Sequence, residues 1–242
     1  MSKLLASVID HQEMELAINS GADIIDLKNP HRGALGALSI DTISSLVVQC
    51  RGRCPVSATV GDLPAEPLQL TQAIDQTARC GVDYVKVGFF SNDNLTECIQ
   101  AIKTLTNQYA VVAVLFADLQ PPLHQLNSFA SAGFKGVMLD TAGKGGGGLL
   151  SHIGLEEIDH FVDECRSLGL LNGLAGSLSL DDIPKLLPIM PDYLGFRGAL
   201  CDQAERTAGI VPHRLNDIRN AFSLYSPPVE QQSNLTEVNC GD

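Results

Sequence analysis

Motifs typical of metal and nucleotide enzymes are missing from this chain. Its six histidines show no HxH or HExxH spacing, and its seven cysteines form neither a CxxC pair nor a Cys/His cluster, so a metal site has little support. A GxGxxG dinucleotide fingerprint and a GxSxG nucleophile motif are absent too. We therefore expect no metal and no cofactor.

Positive charge and long apolar runs are also scarce. The formal net charge is -12 at pH 7, which disfavours nucleic acid and anionic membranes as partners because binding them needs clustered Lys and Arg. No apolar run reaches the roughly 18 residues of a membrane span. An odd number of scattered cysteines in a large chain indicates reduced thiols. We expect a cytoplasmic protein with no membrane partner, in which any anionic substrate meets local positive charge.

The chain does contain a regular alternation of two patterns. Apolar runs, the first six of them with β-branched residues, predict eight strands, at 3–8, 23–28, 56–60, 83–89, 110–117, 136–141, 171–177 and 193–199. Segments with helical spacing lie between them, at 12–20, 39–50, 67–80, 94–106, 122–132, 155–168, 180–188 and 213–222. Ser39, Asn94 and Ser179 stand where they can cap three of these helices. Repeated strand–helix units imply parallel strands.

The number of these units predicts an α/β fold of the (β/α)8 TIM-barrel type. An open doubly wound sheet is the alternative, but its best signature, GxGxxG after the first strand, is missing. We expect one catalytic barrel domain over residues 1–225. The polar tail over 226–242 has no periodicity, so we expect it to be disordered or loosely docked.

Lysine is rare, and its placement is informative. Of seven lysines in the chain, Lys28, Lys86 and Lys144 fall at the ends of strands 2, 4 and 6 or just beyond them. Asp26 and Asp140 end strands 2 and 6 beside them. Residues at the C-terminal ends of barrel strands face the catalytic mouth, and even-numbered strands share the same layers. We therefore expect these five side chains to converge.

Such a lysine cluster has a definite chemical use. Burial and neighbouring cations can lower a lysine pKa by several units from roughly 10.4, so that the free amine attacks a carbonyl and forms a Schiff base. In the alternative interpretation, each lysine pairs with a nearby aspartate and only braces the barrel mouth. Asp26 and Lys28, two apart on one face of a strand, are the first candidate for such a pair. Convergence of three lysines favours catalysis.

The ends of the last two strands indicate what the substrate carries. Strand 7 ends in Gly176 and Ser177 just before a helix, and strand 8 ends in Arg197 and Gly198. In barrels, phosphate commonly binds amides of the loops after strands 7 and 8. We expect a phosphorylated substrate, with tight packing as the alternative role of these glycines. The glycine run 145–148 fits either a second phosphate cradle or a lid.

Several strand-end segments resemble one known family. The chain is similar to the (5-formylfuran-3-yl)methyl phosphate synthases, also called 4-(hydroxymethyl)-2-furancarboxaldehyde-phosphate synthases, in five segments: DIIDLKNPHRGALGA, DYVKVGFF, MLDTAGKGGGGLL, GLAGSL and GFRGALC. These enzymes serve methanofuran and methylofuran biosynthesis. The resemblance is specific because it consists of whole strand-end signatures in order along the chain, and it ends near Tyr225.

The resemblance implies a homo-oligomeric lyase that condenses two molecules of glyceraldehyde 3-phosphate into the furan phosphate, releasing phosphate and water. The family's Schiff-base lysine in DLKNP corresponds to Lys28, and its proton-transfer lysine in YVKVG corresponds to Lys86. Asp26, Asp140 and Lys144 correspond to its supporting acid/base groups. Strand positions had selected the same five residues, whereas the furan comes from the resemblance alone.

Two other functions stay open on the residues alone. A lysine-dependent aldolase or isomerase of sugar phosphates would use the same groups, but it would give no furan chromophore from glyceraldehyde 3-phosphate. A barrel that binds a phosphorylated metabolite without catalysis needs no reactive amine, so none of its lysines would be trapped as a Schiff base.

Overall fold

Within residues 1–143 and 146–225, which the computed structural model describes, eight parallel strands close into a barrel in chain order. The closing pair, β8 with β1, joins Tyr193 to Lys3 and Phe196 to Ala6. The strands are β1 (Lys3–Val8), β2 (Ile24–Leu27), β3 (Val56–Thr59), β4 (Tyr84–Phe89), β5 (Val111–Phe116), β6 (Gly136–Asp140), β7 (Leu171–Leu174) and β8 (Tyr193–Phe196). The predicted (β/α)8 barrel is thus confirmed, and the open sheet is wrong. The predicted tail, 226–242, lies outside the described residues.

Helices alternate with the strands: α1 (His11–Asn19), α2 (Ile40–Cys50), α3 (Pro67–Ala78), α4 (Leu95–Ile102), α5 (Leu126–Ser131), α6 (Leu155–Ser167), α7 (Ile183–Leu186) and α8 (Pro212–Tyr225). The predicted helix 180–188 is interrupted, because short 3-10 turns flank α7 on both sides. Pro184 and Pro188 explain the breaks, since proline donates no backbone hydrogen bond and fits only the first turn of a helix.

Two of the three predicted helix caps are present. Ser39 accepts a hydrogen bond from the Thr42 amide at 3.1 Å and caps α2. At Ser179, both the amide and the hydroxyl donate to Asp182 Oδ2 ahead of α7. The cap at Asn94 is wrong, because this residue is left-handed (φ 50°) and its amide group donates to the Ala65 carbonyl instead.

The barrel interior has an apolar part and a charged part. An apolar cluster inside the barrel contains Leu5, Ile24, Val112, Val114, Phe116, Met138 and Tyr193. Ser7, Asp26 and Ser57 are register partners on β1, β2 and β3, and Lys86 is the register partner of Thr59. Because strand side chains alternate between faces, Ser7 shares the inner face with Leu5 two residues earlier. Charges placed in such a core must be paired.

Candidate active site

Asp26 is the centre of a buried hydrogen-bond network. Its Oδ1 accepts hydrogen bonds from Ser57 Oγ at 2.6 Å and Lys86 Nζ at 2.9 Å, and its Oδ2 accepts one from Ser7 Oγ at 2.8 Å. Burial alone would raise the pKa of Asp26. The ammonium groups of Lys86 and Lys28 and the hydrogen bonds from Ser57 and Lys86 nevertheless hold this pKa below its usual value. Asp26 is therefore a fixed carboxylate.

The two described lysines of the cluster have different surroundings. Lys86 is almost completely buried and hydrogen-bonded to Asp26. Lys28, just after β2, has its Nζ 3.6 Å from Asp140 Oδ2, which is longer than a hydrogen bond. Asp140 Oδ1 is itself held by the Thr141 amide at 2.7 Å. Lys86 is therefore locked in place, whereas Lys28 makes no hydrogen bond through its ammonium group within the described part of the chain.

The pairing of charges differs from the one that the sequence suggested. Asp26 and Lys28 are neighbours on one strand and were the first candidate ion pair. The structure crosses the partners: Asp26 pairs with Lys86 from β4, and Lys28 faces Asp140 from β6. Asp26 lies deeper in the barrel, with no exposed surface. The interpretation of Asp26 and Lys28 as a structural salt bridge with each other is therefore wrong.

A cavity of about 580 Å³ joins these groups to the predicted phosphate site. Lys28, Lys86 and Asp140 line it together with Gly176, Ser177 and Gly198. The volume lies within the usual range for small-molecule sites. A smaller cavity of about 140 Å³ reaches Lys86 from the side of Met1 and Tyr193. Lys144 lies outside the described residues, so its place in the cluster stays a prediction.

The loop after β7 contributes two residues, Gly176 and Ser177, to the lining of this cavity. Gly176 and Ser177 are consecutive residues with left-handed φ angles of 99° and 49°. A Cβ at Gly176 would lie 2.9 Å from Thr141 Cγ2, so only glycine fits there without a shift. Within the described residues, neither amide donates a hydrogen bond. Free amides in such a turn form a concave site that suits an anion.

Gly198 offers a third amide. It is the first residue of the short 3-10 turn Gly198–Leu200, and the first N–H groups of a helical turn have no partner in that turn. No acceptor for this amide lies among the described residues. Gly176, Ser177 and Gly198, all predicted from sequence, thus line one cavity, and each has an amide unused by the described residues.

The Arg197 side chain is not free for phosphate. Its Nε donates to the Arg206 carbonyl, Nη1 to Glu13 and the Ser7 carbonyl, and Nη2 to Glu13 and the Ala208 carbonyl. An arginine has five N–H groups, and all of them are used. Arg197 was predicted to bind the substrate phosphate, but its guanidinium has no N–H group left for that role and instead clamps α1 to the loop after β8.

Two aspartates missed by the sequence analysis hold the loops of the site. Asp62 accepts hydrogen bonds from the amides of Ala34 and Leu35 at 2.8 and 2.6 Å, in the loop that follows Lys28. Asp118 likewise accepts from the amides of Ala142 and Gly143 at 2.8 and 2.6 Å, in the loop that follows β6. Burial opposes ionisation of Asp118, but these backbone hydrogen bonds hold its pKa below the usual value.

Ser7 and Ser57 were missed as well, although a signal was present. Each is a polar residue inside an otherwise apolar strand run, KLLASV and VSATV, and each faces the barrel axis.

The described residues hold no group of three or more His, Cys, Asp or Glu side chains placed to bind a metal ion. No helix in the described ranges is long and apolar enough to cross a membrane.

Comparisons with known proteins match most of this chain. A model of the family described as 4-HFC-P synthase matches residues 4–219. A protein of Methylorubrum extorquens is 41% identical over 204 residues, which are 84% of each chain. A (5-formylfuran-3-yl)methyl phosphate synthase of Methanocaldococcus jannaschii is 38% identical over 224 residues, covering 88% of this chain and 95% of that protein.

Solved structures share the fold. Phosphoribosyl anthranilate isomerase from Thermotoga maritima superposes with a TM-score of 0.66 over 92% of this chain and 99% of that one. At 12% identity, this likeness concerns the barrel alone. The match to the family model and the identity to the M. jannaschii protein go further: the chain belongs to the 4-HFC-P synthase family of enzymes.

Proposed function

We propose that this enzyme condenses two molecules of glyceraldehyde 3-phosphate into (5-formylfuran-3-yl)methyl phosphate, with release of phosphate and water, through a Schiff base on Lys28. The product is the one named for the M. jannaschii relative. The observation that carries the proposal is the contrast between two lysines on one cavity: Lys86 is locked to Asp26, and Lys28 is not hydrogen-bonded to any carboxylate of the described residues.

Lys28 is the better nucleophile on geometry. A Schiff base requires an amine that can approach a carbonyl carbon and change its bonding as the iminium forms. The ammonium of Lys86 would have to break a 2.9 Å hydrogen bond to a buried carboxylate before it could do so, which leaves Asp26 without its main counter-charge. Lys28 can reach a substrate in the cavity while Asp140 stays near the reacting nitrogen.

The remaining groups suit the proton transfers that follow. An iminium at Lys28 acidifies the adjacent C–H bond of the triose, and Asp140, 3.6 Å from the Lys28 nitrogen, is placed to take that proton. Elimination of phosphate or water then leaves an electrophile for the second triose, and aldol-type bonding and ring closure complete the furan, with one phosphate and two water molecules lost in all. Lys86 is the second proton-transfer group, held in its orientation by Asp26.

The phosphate groups provide the binding energy that holds the trioses near Lys28. Gly176, Ser177 and Gly198, whose amides donate no hydrogen bond within the described part of the chain, line the same cavity as the lysine. Amides aimed at an anion in a protected site bind it without rearrangement. Anchoring the phosphate there fixes the aldehyde end of the triose toward the lysine and raises the effective concentration of the reactants.

The product formed from a single substrate tests the function. Purified protein is incubated with glyceraldehyde 3-phosphate alone, and the product is analysed by mass spectrometry and near-ultraviolet absorbance. The proposal predicts the mass of (5-formylfuran-3-yl)methyl phosphate together with a furan chromophore and free phosphate. A sugar bisphosphate without the chromophore would assign the enzyme to the aldolases instead.

A further inference from the structure

The charge balance of the cavity singles out one arginine. Four cationic residues of the described chain line the cavity, and three of them have a carboxylate partner: Lys28 with Asp140, Lys86 with Asp26, and Arg197 with Glu13. Arg206, in the loop between β8 and α8, has no carboxylate oxygen within 4.0 Å among the described residues. It is therefore the lining cation whose charge stays available for an anion.

The hydrogen bonds of Arg206 leave donors unused. Its Nη2 donates to the Pro30 carbonyl at 2.8 Å and to the Gly33 carbonyl, which ties the β8 loop to the loop that follows Lys28. Its Nε is buried without a partner. Its Nη1 makes no hydrogen bond within the described residues and is not among their buried unpaired atoms, so in the described part of the chain it keeps some exposed surface. One side of the guanidinium is anchored, and the other is open.

Arg206 also lies beside the proposed phosphate amides. A Cβ built on Gly198 would lie 3.9 Å from Arg206 Cβ, and both residues line the cavity that contains Gly176 and Ser177. Three amides supply dipoles but no full charge. A phosphate monoester carries up to two negative charges near neutral pH, and a guanidinium is the side chain best suited to meet them.

We propose that Arg206 binds the substrate phosphate, with Nη1 donating to a phosphate oxygen while Nη2 stays on the Pro30 and Gly33 carbonyls. Position on strand 8 had suggested Arg197 for this role, and the structure uses that residue elsewhere. The inference rests on the proposed function for the identity of the triose, but any phosphate monoester would use the same contact. Glu205 is an opposing charge on the same cavity, and its Oε1 accepts a hydrogen bond from Thr207.

Inorganic phosphate is the probe that tests Arg206 apart from the reaction. Its dissociation constant is measured by calorimetry for the wild type and for Arg206→Gln, in which the amide can still donate to a loop carbonyl. Arg32→Gln is the matched control, because Arg32 is an exposed arginine that does not line the cavity. We expect the constant to rise about 10- to 100-fold in Arg206→Gln, the size of a lost charged hydrogen bond. An unchanged constant would overturn the proposal.

A second readout separates binding from loop structure. Glyceraldehyde, which has no phosphate, is trapped on the protein with borohydride, and the rate is compared with that for glyceraldehyde 3-phosphate. If Arg206 binds phosphate, Arg206→Gln slows trapping of the phosphorylated triose alone. Equal slowing of both substrates would show that the residue only shapes the loop. Arg206→Lys keeps the charge, so it should restore trapping of the phosphorylated triose only if Arg206 binds phosphate.

The two proposals fail separately. Loss of phosphate binding in Arg206→Gln, with no furan made by the wild type, would remove the proposed function and keep this site. If the wild type makes the furan but phosphate has the same dissociation constant in the wild type and in Arg206→Gln, the proposed function stands and the Arg206 site is removed.

Discussion

Replacing Asp26 by asparagine is expected to destabilise the barrel strongly. The change removes the carboxylate that pairs with Lys86, whose side chain is 3% exposed. Removing one partner of a buried ion pair costs roughly 3–5 kcal/mol. For a domain of this size, each kcal/mol lowers Tm by about 2–4 °C, so we expect Tm to fall by roughly 6–20 °C. Asp140→Asn is the matched control, with an expected cost of at most about 1–2 kcal/mol, because Asp140 makes no hydrogen bond to Lys28.

The assay is a double-mutant cycle, in which the free energy of unfolding of each protein is measured with urea at pH 7. Asp26→Asn, Lys86→Met and the combined variant are compared with the wild type. Removing both charges leaves no unpaired ion in the core, so the combined variant is expected to be more stable than Asp26→Asn alone. The reasoning is refuted if Asp26→Asn unfolds within about 0.5 kcal/mol of the wild type, the range of an ordinary surface change.

The pH dependence of the stability of the same variant independently tests whether ionised Asp26 stabilises the folded protein. The folded protein holds the Asp26 pKa below its unfolded value of 3.8. The unfolded chain therefore binds the proton first as pH falls, and ionised Asp26 contributes stability that is complete above the unfolded pKa. The difference between wild type and Asp26→Asn should be constant from about pH 8 to pH 5 and shrink below about pH 4.

Two further substitutions separate the phosphate site from its scaffold. Ser177→Asp should place a carboxylate at the proposed phosphate amides and raise KM strongly by like-charge repulsion, with little change in Tm; an unaltered KM would place the phosphate elsewhere. Arg197→Gln should do the opposite. It leaves Glu13 buried without its charged partner, which should lower the free energy of unfolding in urea by about 3–5 kcal/mol. The phosphate dissociation constant of the folded fraction should stay the same. A selective rise of that constant would restore Arg197 to the phosphate site.

The barrel could be predicted because its information is local and repeated. Each strand run is mainly apolar with Gly or polar boundaries, the first six runs contain β-branched residues, and each run is followed by a helical pattern. The helix boundaries deviated where local rules competed. Pro184 and Pro188 divided the predicted helix 180–188 into short turns, and Asn94 adopted a left-handed conformation instead of capping α4.

The grouping of Asp26, Lys28, Lys86 and Asp140 could be predicted, but the pairing of their charges could not. Asp26 and Lys28 are adjacent on one face of the chain, which suggests mutual contact. The register of the barrel sets Lys86 against Asp26 from two strands away, and Lys28 extends toward Asp140 on the far side. Pairing across a barrel depends on side-chain reach in three dimensions, which residue spacing along one strand does not contain.

The correction at Arg197 has the same cause. Its position after β8 suggested a phosphate ligand, but Glu13, 184 residues away in sequence, takes its guanidinium. No local pattern marks such a long-range pair. Arg206 shows the converse, because an arginine nine residues after the strand-end arginine returns to the cavity through the shape of a loop.

Borohydride trapping at Lys28 tests the central claim most directly. The wild type, Lys28→Arg and Lys86→Arg are each reduced in the presence of glyceraldehyde 3-phosphate and digested, and the peptides are weighed. We expect a triose-derived mass on the Lys28 peptide of the wild type, and a folded Lys28→Arg protein with no adduct and turnover reduced at least about a thousandfold, since arginine keeps the charge but removes the reactive amine. A folded Lys28→Arg protein with near wild-type turnover, or an adduct on Lys86 alone, would contradict the Schiff base at Lys28.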